Sequence, residues 1–164
     1  MNSRISWNDV FMEFAESLCK RSCCVKYKTA SIITDGTQIV SLGYNGTFSK
    51  SIECENYWRD YMKSDPVLYK ENLLDWIKTK DFKDRHRDWS EKNEVHAEIN
   101  ALNWISKKDI TYNYKLYTVL SPCDQCAKTI ISYGIKTIYY RIEYHKGINA
   151  LKLLGENGVI CIKI

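Results

Sequence analysis

Long apolar runs are missing from this chain. No stretch approaches the length needed to cross a bilayer, so a membrane-spanning helix is excluded. The opening residues, MNSRISWNDV, carry no apolar core, so a secretory signal is not expected there. No basic run reaches the density of a nucleic-acid-binding tail, and acidic residues interrupt the basic ones from Asp81 to Glu94. There is no internal repeat and no low-complexity tract. A second C-x-x-C, which a four-cysteine structural zinc clip would need, is also absent. Proline is scarce, with two in the chain, and each marks a boundary: Asp65-Pro66 breaks a charged stretch and Pro122 stands where a helix can begin.

The length of 164 residues suits one domain, and a hydrophobic fraction of 45% can bury a core. A net charge of +4 and a pI near 8.6 fit an anionic small molecule as well as a polynucleotide, and decide neither. Seven cysteines are many, odd in number, and two of them form a C-x-x-C. Without a signal, this usage points to a cytoplasmic protein (host cytoplasm if the source is viral) with free and metal-bound thiols rather than a disulfide scaffold.

Hydrophobic spacing then orders the chain. Trp7 to Arg21 is helical, with Val10, Phe11, Phe14, Leu18 and Cys19 on its apolar side and Ser6 or Asn8 as N-cap. Ala30–Thr34 and Gln38–Leu42 form a hairpin around Asp35-Gly36. Segment 49–92 is charged and aromatic, with helical patches near 57–62 and 68–77, and reads as an ordered insertion. A helix is expected over 94–106, a strand over 115–120, a helix from 122 to a cap at Gly134, a strand over 137–141, a helix over 145–156 and a closing strand over 159–164. Alternating helices and strands make this an α/β layered sandwich around one sheet, a single domain over 1–164 interrupted at about 49–92.

The chemistry concentrates in His96-Ala97-Glu98 and Pro122-Cys123-Asp124-Gln125-Cys126. One imidazole and two thiolates give the three protein ligands of a catalytic zinc site and leave a fourth position open. With 94–106 helical, His96 would lie in that helix's first turn. Cys123 and Cys126, at i and i+3 of a helix start, face the positive end of the helix, which favours thiolate. Glu98, two residues after His96, can enter the same pocket without ligating and carry protons. Alternatively, C-x-x-C serves as a structural clip or redox pair and His96 is a buried polar residue. H-x-E followed by P-C-x-x-C is the signature of zinc-dependent nucleobase deaminases.

With these residues in view, the chain resembles the deoxycytidylate (dCMP) deaminases of the zinc-dependent cytidine/deoxycytidylate deaminase superfamily, in their phage or viral type. The resemblance rests on Gly43-Tyr44-Asn45-Gly46-Thr47, on the block from Ser90 to Leu102 (SEKNEVHAEINAL) and on Leu120-Ser121-Pro122-Cys123, and covers roughly 21–145. It implies a three-layer αβα sandwich with a central mixed five-stranded sheet. It implies hydrolysis of dCMP to dUMP and ammonia, supplying dUMP for dTMP synthesis. It also implies a homohexamer activated by dCTP and inhibited by dTTP, with Mg²⁺ beside the effector.

Residue by residue, the resemblance gives His96, Cys123 and Cys126 to a catalytic zinc and the proton relay to Glu98. Asn45 would bond the sugar or base, the Ala97 N–H the cytosine carbonyl, and the Ser121 carbonyl the exocyclic amine. Tyr144 would pack on the sugar, or be a half-buried strand-end tyrosine. Lys26 would meet the phosphate, or be a surface lysine. Gly43, Tyr44 and Gly46 would form the effector loop, or a simple turn. Cys24, Cys54, His86 and Glu94 match a second, structural zinc of some phage-type members, with Cys23 as substitute for a register slip. One departure is Tyr27-Lys28-Thr29-Ala30-Ser31-Ile32, where the family often reads R-x-V-G-A-V. The rivals to a monophosphate deaminase are a polynucleotide-editing deaminase, which needs a distributed cationic and aromatic groove, and a catalytically silent nucleotide-binding regulator, which has no need of Glu98.

Overall fold

Neighbouring residues on the inner strands send their side chains to opposite faces, and this pleat generates the layers. In the computed structural model, which describes residues 4–68, 72–105, 113–145 and 147–164, the central strands are β1 (Ala30–Asp35), β2 (Gln38–Tyr44), β5 (Tyr114–Leu120), β6 (Thr137–Ile142) and β7 (Ile160–Lys163). Their order is β2-β1-β5-β6-β7. The β1–β2 and β1–β5 pairs are antiparallel, and β5–β6 and β6–β7 are parallel, so the sheet is mixed as expected.

Ile32, Tyr117 and Tyr139 face helix α1 (Trp7–Leu18) and bury Phe11, Met12 and Ala15. Their neighbours Ile33, Leu116 and Ile138 face α5 (Ala97–Leu102), α6 (Asp124–Ser132) and α7 (Ile148–Glu156). Ser6 caps α1 by accepting from the Asp9 N–H at 3.2 Å. Gly36, at φ 56°, closes the β1–β2 hairpin in the left-handed region where glycine costs least. Among the described residues no helix is long and apolar enough to cross a membrane.

Segment 49–92 adds α2 (Cys54–Ser64), α3 (Leu73–Trp76) and α4 (Lys80–Asn93, which ends just past it). They enclose a separate aromatic core: Trp58 packs against Phe82 at 5.1 Å and Trp76 at 5.8 Å, and Tyr57 stacks on Trp89 at 4.7 Å. The patch expected at 57–62 lies within α2. Of the patch expected at 68–77, only 73–76 is helix and 69–71 lie outside the described residues. Helix α4 was not expected. Its only buried side chains are Phe82 and His86, too thin an apolar stripe to register as an amphipathic pattern.

A second correction concerns 94–106. Glu94–Val95 form strand β4, paired antiparallel with β3 (Gly46–Thr47), and His96 is extended. Only Ala97–Leu102 is helical, and 106 lies outside the described residues. The β3 ladder holds the chain extended where sequence spacing favours helix. The last helix begins at Ile148 rather than 145, with 146 outside the described residues.

Candidate active site

Two helix starts meet beside the sheet. His96 is the N-cap of α5 and Cys123 the N-cap of α6, and Cys126 lies in the first turn of α6. His96 therefore precedes its helix instead of occupying the first turn. The imidazole Nδ1 is 3.2 Å from Cys126 Sγ and 3.4 Å from Cys123 Sγ. All three donor atoms lie within 4.8 Å of one another. Ligands at tetrahedral zinc distances stand roughly 3.5–3.8 Å apart, so this donor set fits one zinc ion and leaves a fourth position without a protein donor.

The electrostatics agree. Hydrogen bonding from Cys126, joined by His96, draws the Cys123 thiol down to about 4. Cys126 is pushed up, chiefly by sharing that contact with Cys123 and by burial. His96 is raised to about 9, first by its contact with Cys123 and then by Glu98, against the opposing effect of burial. Ion binding to this set expels protons from Cys126 and His96.

Glu98 is 5% exposed and sits beside this cluster. Burial raises its carboxyl above the ordinary range, while His96 and its own backbone N–H pull it down. It also contacts Cys126. A carboxyl so placed can take a proton and return it. The first intrahelical bond of α5 runs from the Asn100 N–H to the His96 carbonyl at 3.0 Å, so the Ala97 N–H has no intrahelical acceptor.

His96, Glu98 and Cys123 line a cleft of about 490 Å³ together with Lys26, Tyr27, Asn45, Ser121 and Tyr144. The Ser121 N–H donates to the Ile142 carbonyl at 2.8 Å, and its hydroxyl accepts from the Tyr144 N–H at 2.8 Å, which holds the residue between β5 and β6. Tyr144 packs edge-on against Tyr27 at 5.8 Å. Asn45 has a further duty. Its Oδ1 accepts from the Thr29 N–H at 2.9 Å and its Nδ2 donates to the Tyr27 carbonyl at 2.8 Å, so it braces the cleft wall that departs from the family pattern.

Gly43 and Tyr44 end strand β2 and Gly46 opens β3, so the expected glycine loop is reduced to Asn45. Gly43 serves close packing: α5 backbone leaves no room for a Cβ there.

The second cluster is also assembled. Cys24 Sγ and Cys54 Sγ each lie 3.4 Å from His86 Nε2, and Glu94 completes a set within 4.8 Å. Cys23 stays outside it. Glu94 Oε1 is buried without a hydrogen-bond partner, as a metal-ligand oxygen would be. The Cys54 contact, with His86, lowers Cys24 to about 4, and burial, with Cys24, raises Glu94 to about 8. Four donors fit a closed structural zinc. The basic residues Lys80, Lys83 and Arg87 of α4, and His145, also line the cleft and were not anticipated. Their signal was the i, i+3, i+7 recurrence of cations around His86.

A family model described as the cytidine and deoxycytidylate deaminase zinc-binding region matches residues 5–142. ComE operon protein 2 of Bacillus subtilis is 31% identical over 156 residues, covering 95% of this chain and 70% of that protein. The deoxycytidylate deaminase of Schizosaccharomyces pombe is 30% identical over 156 residues, covering 95% of this chain, which spans 43% of that relative. Among solved structures, the dCMP deaminase of cyanophage S-TIM5 in complex with dCMP and dUMP superposes with a TM-score of 0.67 at 24% identity, covering 98% of this chain and 100% of that one. This likeness shows the fold.

Proposed function

The chain belongs to the cytidine and deoxycytidylate deaminase zinc-binding family, and from that premise we propose that it hydrolyses dCMP to dUMP and ammonia. The observation that carries this reading is the buried Glu98 carboxyl beside a three-donor metal set on the wall of a cleft sized for a nucleotide. The names of the Schizosaccharomyces pombe and cyanophage proteins support dCMP as the substrate.

His96, Cys123 and Cys126 would hold the zinc, which would supply the Lewis acidity that lowers the pKa of water toward ~7. Glu98 takes one proton from the attacking water as its oxygen bonds C4 of the pyrimidine, and passes it to ring N3. It then moves the second proton from the new hydroxyl to the amine. The C4–N4 bond breaks and ammonia leaves, so the carboxylate returns to its starting state. The Ala97 N–H orients the ring through its carbonyl and the Ser121 carbonyl accepts from the amine. Tyr144 covers the sugar, Asn45 positions it, and Lys26 meets the 5′-phosphate.

Cys24, Cys54, His86 and Glu94 would hold a second zinc, which would tie segment 49–92 to the rest of the chain. A homohexamer with dCTP activation, dTTP inhibition and effector-bound Mg²⁺ at Gly43, Tyr44 and Gly46 completes the reading, and its support is the family resemblance alone.

Ammonia release from dCMP, measured with and without dCTP and dTTP, tests substrate and regulation together. Glu98→Ala should keep its catalytic zinc and lose at least ~10²-fold in kcat. Full activity in that variant removes the mechanism.

A further inference from the structure

Helix α4 gives the cleft a charged wall. Lys80, Lys83, Asp84, Arg87 and Ser90 recur every three or four residues and share one stripe that lines the cavity. Elsewhere on α4, Phe82 enters the aromatic core, His86 enters the Cys24–Cys54–Glu94 cluster, and Asp81, Arg85 and Asp88 are exposed.

Arg87 pairs with Asp84 at 3.2 Å and Asp88 at 3.4 Å. Lys80 and Lys83 have no carboxylate within ion-pair distance among the described residues. From outside the helix Lys26 reaches in, its Nζ 3.5 Å from the Lys83 carbonyl. Lys26, Lys80, Lys83 and Arg87 therefore outnumber Asp84 here, while the cleft's remaining carboxylates, Glu94 and Glu98, sit with the metal donors. These cations line the same cleft as His96, Glu98 and Cys123, as the seats for one nucleotide's phosphate and base must.

Resting on the deaminase reading above, we propose that Lys83 and Arg87, with Lys26, seat the substrate's 5′-phosphate, so that segment 49–92 makes the enzyme select a nucleotide over a nucleoside. Arg87 exchanges its exposed carboxylate partners for a fork-shaped contact to phosphate oxygens, and Lys83 adds a point charge. Ser90, a turn farther along, can donate its hydroxyl.

The test compares kcat/KM for dCMP and deoxycytidine in wild type, Lys83→Ala, Arg87→Ala, the double variant and Lys83→Arg. Each alanine should cut the preference for dCMP by ~10-fold and the pair by ~100-fold, mainly through KM. Lys83→Arg should keep most of it. Both side chains are exposed, so thermal unfolding should barely move. Calorimetric binding of dUMP should weaken in parallel. A folded double variant with wild-type preference overturns the proposal, as does wild type acting equally on both substrates. If wild type deaminates neither, the deaminase reading fails instead, and dCMP binding by wild type against the double variant still decides the seat.

Discussion

Adding one methyl group at Gly43 tests what holds the cleft in register. The new Cβ would lie 2.5 Å from both the Ala97 carbonyl oxygen and the Ala101 nitrogen, and 2.8 Å from Asn100 Cβ. Two of these three atoms are helix backbone, so no rotamer change relieves the clash. Reaching even 3.0 Å requires β2 and α5 to separate by at least about 0.5 Å, the difference between 3.0 and 2.5. Ordinary van der Waals contact requires nearer ~1 Å. Two bonds across the same seam would stretch: Ser41 Oγ to the Ala101 carbonyl, 2.5 Å, and Asn100 Nδ2 to the Tyr44 carbonyl, 2.9 Å. Gly43 is not among the positive-φ glycines, so the cost is steric. Overpacking of this kind costs ~1–3 kcal/mol, roughly 2–12 °C in Tm at this size. Helix α5 follows directly on its N-cap His96 and carries Glu98, and displacement approaching ~1 Å at reacting groups costs up to ~10²-fold in rate. Thermal melts, zinc content and kcat on dCMP make the assay. A folded Gly43→Ala protein with zinc retained, Tm lowered and kcat down ~10–100-fold is expected. Wild-type Tm and kcat together would refute the argument that this contact positions α5.

Asn45→Ala removes both bonds to the Tyr27–Thr29 wall, so Tm should fall by a few degrees (~1–3 kcal/mol) and KM for dCMP should rise; an unchanged KM would limit Asn45 to a structural part. His86→Ala should lower zinc from two ions per chain to one by atomic spectroscopy, and a single zinc in the parent protein would dispose of the outer site. In protein stripped by chelator, Glu94 keeps a proton to about pH 8 that the unfolded chain releases near 4.5. Its stabilising contribution is complete below 4.5 and is lost as pH rises toward 8, so urea melts at about pH 5.5 and 8 should show the stripped protein weakening while the zinc-loaded protein does not. Arg141→Ala breaks a 2.7 Å pair with Glu16 that is about a third exposed; it should cost under ~1 kcal/mol and leave kcat intact.

The sheet was legible because its strands alternate with helices at clear hydrophobic periods, and Ile32–Ile33, Leu116–Tyr117 and Ile138–Tyr139 feed both faces. The three candidate zinc donors were legible because each motif is local: H-x-E at one helix start and C-x-x-C at another. The outer cluster draws on four separated segments, so spacing alone gave no access to it and only the family resemblance brought Cys24, Cys54, His86 and Glu94 together. Helix α4 escaped notice because charge fills most of its surface. The β2–α5 contact at Gly43 was hidden too, since a glycine at a strand end reads as a turn until the helix above it is seen.

The distribution of indoles has a practical consequence. Trp58, Trp76 and Trp89 all belong to the aromatic core around His86, whereas Trp7 and Trp104 are 56% and 81% exposed. Blue-shifted emission therefore originates in the outer lobe and red-shifted emission in the remainder. A fluorimeter can thus follow loosening of that lobe separately from melting of the sheet, with no label attached.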